Sequence, residues 1–293
     1  MAEISLMDGA KLVWVVQMPS TVAHAWRDLM RQACVQRAWD FAIHERGDPA
    51  PTTRPGRSLL VVAWLDQTHG LEVTQWAVQL SSPADVAALL KSEGSLSDHD
   101  ALYEASLRLA TAWDLVQRGA LVNWCDDAEM EIPGLGLIQG PSSSSPSGLV
   151  ADHSLAMFER NSMVGARATH WTPDIFRYPD ARPTAGPVGS LPLVGRRRLL
   201  LNGPNIFLPA GTWAFSVEIS IDPPGATELL VEWGHGYDVV SLTAPVQMAG
   251  RYEITLEKQW SGVQPADFRI SLMIPALEGE FAFHGGLLVR KPD

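Results

Sequence analysis

The run Glu232-Trp233-Gly234-His235-Gly236-Tyr237-Asp238 gathers two aromatic side chains, a histidine and a carboxylate around two glycines. Aromatic faces stack on sugar rings, and carboxylates accept hydrogen bonds from hydroxyls. Glycine lets the backbone bend and come close to a ligand. Trp233, His235, Tyr237 and Asp238 are therefore candidate ligand-binding residues, and Trp260, at the end of a strand, is a candidate rim platform. A structural reading competes with this one. The same residues make a tight turn with Trp233 in the core and Asp238 stabilising the turn. The alternation of 252–256 likewise puts Trp260 on the core side.

The other reactive groups form weaker patterns. Asp126, Asp127, Glu129 and Glu131 are the carboxylates of an acid–base pair or a divalent-cation site, or simply of a solvated loop. Neighbours in an extended chain point opposite ways, which favours the loop. Arg196-Arg197-Arg198 suits an acidic polysaccharide or phosphate, or a solvated strand start. The eight histidines are scattered and show no zinc spacing. No Gly-x-Ser-x-Gly, dinucleotide fingerprint or Walker A sequence occurs. No catalytic residue, metal site or cofactor is assigned from the sequence.

Composition narrows the partners. The chain has 293 residues and a formal net charge of −11. An acidic chain without a basic stripe is a poor match for nucleic acid or an anionic membrane surface. Cys34 and Cys125 are too few for a disulfide framework. The apolar run Leu12–Val16 is too short for a signal or a membrane span, so a soluble, cytoplasmic protein is expected.

These candidates need elements to hold them. The expected N-terminal domain, 1–138, is α+β: a strand over 11–17, a helix over 20–46, two apolar runs at 59–65 and 71–80 joined as a hairpin through 66–70, and helices over 82–94 and 98–118. A Gly/Ser/Pro linker follows at 139–148. The C-terminal domain, 149–293, begins with an irregular lead-in over 149–195. Strands then follow at 198–208, 213–222, 227–234, 238–245, 251–260, 267–275 and 280–290. Their one-sided period of two predicts an all-β antiparallel sandwich of jelly-roll type.

Within it, Gly203-Pro204-Asn205-Ile206-Phe207-Leu208-Pro209-Ala210-Gly211-Thr212-Trp213 resembles a segment of a jelly-roll domain from alphaproteobacterial polysaccharide-related proteins. Leu193-Val194-Gly195-Arg196 and the strand from Phe281 to Arg290 fit the same pattern, whereas Asn205 stands where that family has an aromatic. The resemblance covers about a third of the chain and implies a carbohydrate-binding-module-like sandwich. Three functions follow as expectations. The first is a non-catalytic binding protein acting on or near a bacterial polysaccharide. The second is a structural component, virion- or tail-associated, that contacts partner proteins or a second copy of itself. The third is a polysaccharide-metabolism enzyme with the sandwich as accessory.

Overall fold

The computed structural model describes residues 11–45, 47–49, 51–64, 75–141, 153–163, 168–179, 188–223 and 225–292. By compactness the chain divides into two units. One comprises Met1–Ser97 with Arg108–Val150, the other Asp98–Leu107 with Ala151–Asp293.

The first unit is built on strands β1 (Leu12–Gln17), β2 (Asp40–His44), β3 (Leu59–Trp64), β4 (Trp76–Leu80) and β5 (Leu121–Trp124), with helices α1 (Ala23–Gln36) and α2 (Pro83–Gly94) between them. The strand order is β2-β3-β1-β4-β5, and every pairing is parallel. This departs from the α+β expectation: the five strands form one all-parallel sheet, with α1 in the β1–β2 connection and α2 and then a further helix in the β4–β5 connection. The expected hairpin also fails. Its connection, 66–70, lies outside the described residues, but β3 and β4 do not pair, because β1 runs between them. The reason is visible in β1, whose six residues are all buried. A parallel strand covered on both faces has no polar side and gives a continuous apolar run. The expected long helix stops at Gln36. Ala38 takes a positive φ of 56°, and β2 follows at once.

Trp26, Met30 and Cys34 of α1 pack on Val13, Val15, Leu60 and Val62. A small hairpin, β6 (Glu129–Ile132) and β7 (Gly136–Gln139), adds Met130, Ile132 and Ile138 to the same cluster. Ser82 caps α2 by accepting from the Asp85 amide at 3.1 Å, with Pro83 at the first helical position. Burial pushes the Cys34 thiol up to about 11, so it stays protonated and unreactive at neutral pH. Native protein at pH 8 is expected to leave Cys34 unmodified by iodoacetamide, with labelling appearing in urea. Since the folded thiol titrates above the unfolded one, the Cys34 contribution to stability is full below about pH 8.5. It declines as pH rises toward 11.

The second unit is an antiparallel sandwich. One sheet orders β10 (Arg198–Leu208), β15 (Gln264–Leu272), β12 (Thr227–His235) and β13 (Asp238–Val246). The other orders β14 (Gly250–Trp260), β11 (Gly211–Asp222), β16 (Glu280–Arg290) and β8 (Ala168–Trp171), with β9 (Ser190–Pro192) also on β16. The core is aromatic. Phe215 meets Trp171, Trp233 and Phe268 at 4.9, 5.8 and 5.1 Å between ring centroids. Phe176, from the lead-in, sits 4.8 Å from Phe283. The corner after β10 is tied by Trp213, whose indole donates to Pro209 O at 3.1 Å. Residues Asp98–Leu107, the first half of helix α3 (Asp98–Gln117), group with this unit. Ser106 Oγ accepts from the Phe207 amide at 3.0 Å, and the Tyr103 ring lies edge-on to Phe207. No helix among the described residues is long and apolar enough to cross a membrane.

Candidate functional site

The sequence candidates separate into core and tip. Strands β12 and β13 join through the two-residue turn Gly236-Tyr237, flanked by the pair His235 and Asp238. Gly236 holds a φ of +58°, the positive value this kind of turn demands at its first position. Period two then sends Trp233 inward and leaves the tip in water. Trp233 is fully buried and Trp260 is 2% exposed, with ring centroids 5.7 Å apart. Both side chains are packed in the core and present no face to the surface, unlike the expected ligand platform. Tyr237, by contrast, is completely exposed, and His235 and Asp238 are exposed beside it.

Asp238 is already engaged. Its Oδ1 lies 2.6 Å from Lys258 Nζ. Lys258 occupies an inward position of β14, in step with Leu256 and Trp260, and its ammonium stands 5.3 Å from the Trp260 ring. The pair therefore joins an edge strand of one sheet to an edge strand of the other. Replacing a buried lysine by an apolar chain of similar length removes a desolvation cost along with the ion pair. Lys258→Met is expected to leave the urea midpoint of unfolding unchanged or raised, whereas Asp238→Ala, which leaves the ammonium alone, lowers it.

The strand registers add a group of residues that the linear pattern did not reveal. Ser241, Glu232, Arg269 and Asn202 are successive partners across β13, β12, β15 and β10, forming one rung. Their neighbours Val231, Trp233, Phe268 and Ile270 are buried, so the rung faces outward. Glu232, Arg269 and Asn202 are partly exposed and Ser241 is exposed. The next rung runs Val239, Gly234, Asp267 and Pro204, toward the hairpin tip. Asp267 orients the arginine. Its Oδ2 accepts from Arg269 Nε at 2.6 Å, while Oδ1 accepts from the Gly203 amide at 3.0 Å. Arg269 Nη2 also lies 2.5 Å from Asp267 Oδ2, so the Nε–Nη2 edge is taken by that carboxylate, and the guanidinium, held in place on the face, has its Nη1 group left for a ligand oxygen.

Several other candidates make bonds within the fold. Asp127 Oδ2 accepts from the Trp124 amide at 3.0 Å, and Glu129 Oε1 accepts from Gln139 Nε2 at 2.6 Å. Arg198 clamps the lead-in by donating to Leu193 O at 3.1 Å and Pro192 O at 2.5 Å. His284 pairs with the Ser220 hydroxyl at 2.7 Å. Among the described residues no group of three His, Cys, Asp or Glu side chains is placed to hold a metal ion.

No protein-family model matches the chain, and no curated protein does. Solved structures do show similarity. The carbohydrate-binding module TmCBM61 in complex with β-1,4-galactotriose is 10% identical, with a TM-score of 0.28 over 43% of this chain and 88% of that one. The CBM36-1 domain of a multidomain xylanase from the hindgut metagenome of Trinervitermes trinervoides is 11% identical, with a TM-score of 0.31 over 43% and 98%. The Glycosylation Associate Protein (Gap123) complex from Streptococcus agalactiae is 11% identical, with a TM-score of 0.30 over 86% and 49%. The sandwich itself is defined by the strand pairings described above.

Proposed function

We infer that the protein is a non-catalytic glycan-binding protein whose sandwich holds a bacterial polysaccharide along the outer face of its four-stranded sheet. The observation that carries this reading is the outward rung of Ser241, Glu232, Arg269 and Asn202, leading toward the exposed ring of Tyr237. Hydroxyl, carboxylate, guanidinium and amide in a row supply both donors and acceptors, as a chain of sugar hydroxyls requires. Tyr237 adds an apolar face at the end of the row for a ring to stack on. The Nη1 group of Arg269, oriented by Asp267, donates to a glycan oxygen. The Asp267 carboxylate on this face is held by a guanidinium, an arrangement suited to positioning that arginine rather than to proton transfer.

A glycan array of acidic and neutral bacterial polysaccharides tests this. Tyr237→Ala is expected to weaken binding about tenfold or more, the scale of a truncated aromatic anchor, with an unchanged melting temperature. Arg269→Lys keeps the charge but loses the planar group that Asp267 orients, and is expected to weaken binding. A silent array with the wild-type protein, or full binding by both variants, overturns the reading.

A further inference from the structure

The first unit carries a second site, independent of the glycan reading. The chain leaves the carboxyl end of β1 through α1 to reach β2, beyond β3. It leaves β4 through α2 toward β5, on the opposite side. Where adjacent strands send their connections in opposite directions a crevice opens, and open α/β sheets bind ligands there.

In this protein the strand ends at that point carry buried polar groups. Gln17 and Gln79 are register partners at the ends of β1 and β4, and both are buried. Arg27 Nε donates to Gln17 Oε1 at 2.7 Å, which fixes the orientation of that amide. Gln17 Nε2 then donates to Ala23 O at 3.0 Å and to Gln79 Oε1 at 2.7 Å. The chain of bonds thus settles Gln79 as well and leaves its Nε2, in a residue only 1% exposed, as a buried donor with no acceptor. Buried amide donors without partners are rare in folded proteins and point to a missing acceptor. Ala23 opens the fourteen-residue α1, and Val22 before it gives that helix no side-chain cap. The Ala23 amide donates to Ser20 O at 3.2 Å, so it is the next two amides, of His24 and Ala25, that present the positive end of the helix beside the same donor. Arg27, buried one turn into α1, adds a full positive charge.

We propose that this crevice binds a phosphate-bearing small molecule, whose anionic oxygens accept from Gln79 Nε2 and the His24 and Ala25 amides of α1 while Arg27 supplies the countercharge. Anions are held at helix N-termini by this combination of oriented N–H groups and dipole. Asp85 and Asp126 act on the Cys125 thiol at the β5 side of the crevice, so the anion sits toward Arg27.

The experiment is a titration of the intact 15N-labelled protein with sodium pyrophosphate, with sodium chloride at equal ionic strength as the reference. Saturable movement of the Gln79 side-chain amide resonances with pyrophosphate alone is the expected result. Gln79→Met keeps the volume and removes the donor, and is expected to weaken pyrophosphate binding about tenfold, the loss of one charge-assisted hydrogen bond. A parallel arm with ADP separates the ligand's source: tighter binding than pyrophosphate assigns a nucleotide, equal binding the phosphate group alone. Absence of movement, equal movement with chloride, or unchanged affinity in Gln79→Met overturns the proposal. The wild-type titration decides the matter even if the variant does not fold.

Discussion

Trp233→Ala is expected to lower the stability of the second unit by about 3–5 kcal/mol, the range for deleting a buried aromatic. The ring is fully buried between Phe215 and Trp260, whose centroids lie 5.8 and 5.7 Å away. Both neighbours belong to the opposite sheet, so the vacated volume lies at the middle of the sandwich and cannot collapse without moving a strand. The indole N–H makes no hydrogen bond, so the whole loss comes from transfer and cavity. Urea denaturation followed by tryptophan fluorescence measures it; a loss below about 1 kcal/mol would contradict the assignment of Trp233 to the core. Any fall in glycan binding by this variant has to be read against its folded fraction, a difficulty that Tyr237→Ala avoids.

Gly234→Val should be at least as damaging, for a different reason. A Cβ at position 234 would stand 2.2 Å from Asp238 O and 2.6 Å from Val239 Cα. Both are backbone atoms of the partner strand and cannot turn aside as a side-chain end can. The strands must separate at the hairpin, which also draws Asp238 off Lys258. A cost of about 3 kcal/mol or more is expected, at the upper end of overpacking effects, with loss of protection of the β12–β13 amides in hydrogen exchange. Gly236→Ala, two residues on, provides the control. It meets no atom within 4 Å and is strained only through its φ of +58°, at a cost of about 1 kcal/mol. If the two substitutions prove equal, steric contact is not what selects glycine at 234.

The two units differ in how much of them the sequence reveals. In β11, Trp213, Phe215, Val217, Ile219 and Ile221 alternate with polar residues, because one face meets the core and the other meets water. Such a strand reports its own geometry, and the seven expected sandwich strands all form close to their expected ends. In β1 and β3 both faces are covered, the periodicity vanishes, and Leu59–Trp64 reads equally well as half of a hairpin. The site divides in the same way. Local geometry placed the tip of 235–238 as a turn. It could not decide whether Trp233 faces the core or a ligand, since that depends on which side of the sheet the opposing strands cover. Asn202, Asp267, Arg269 and Ser241 escaped notice because they meet only across strands distant in sequence. The one local signal was two charged residues, Asp267 and Arg269, flanking Phe268 within one strand.

The Lys258–Asp238 pair has a kinetic consequence. The end of a hairpin projects from its sheet, and a ligand that uses it must suppress whatever motion it has at a cost in affinity. Here one end of the tip is fastened to a lysine whose side chain is only 5% exposed and whose position is set by the sandwich core. The backbone that carries Tyr237 is thereby anchored to the sandwich before any ligand arrives. Pre-organisation of this kind acts chiefly on how slowly a complex comes apart. Weakening the fastening should therefore shorten the lifetime of the bound state while leaving the rate of encounter nearly unchanged.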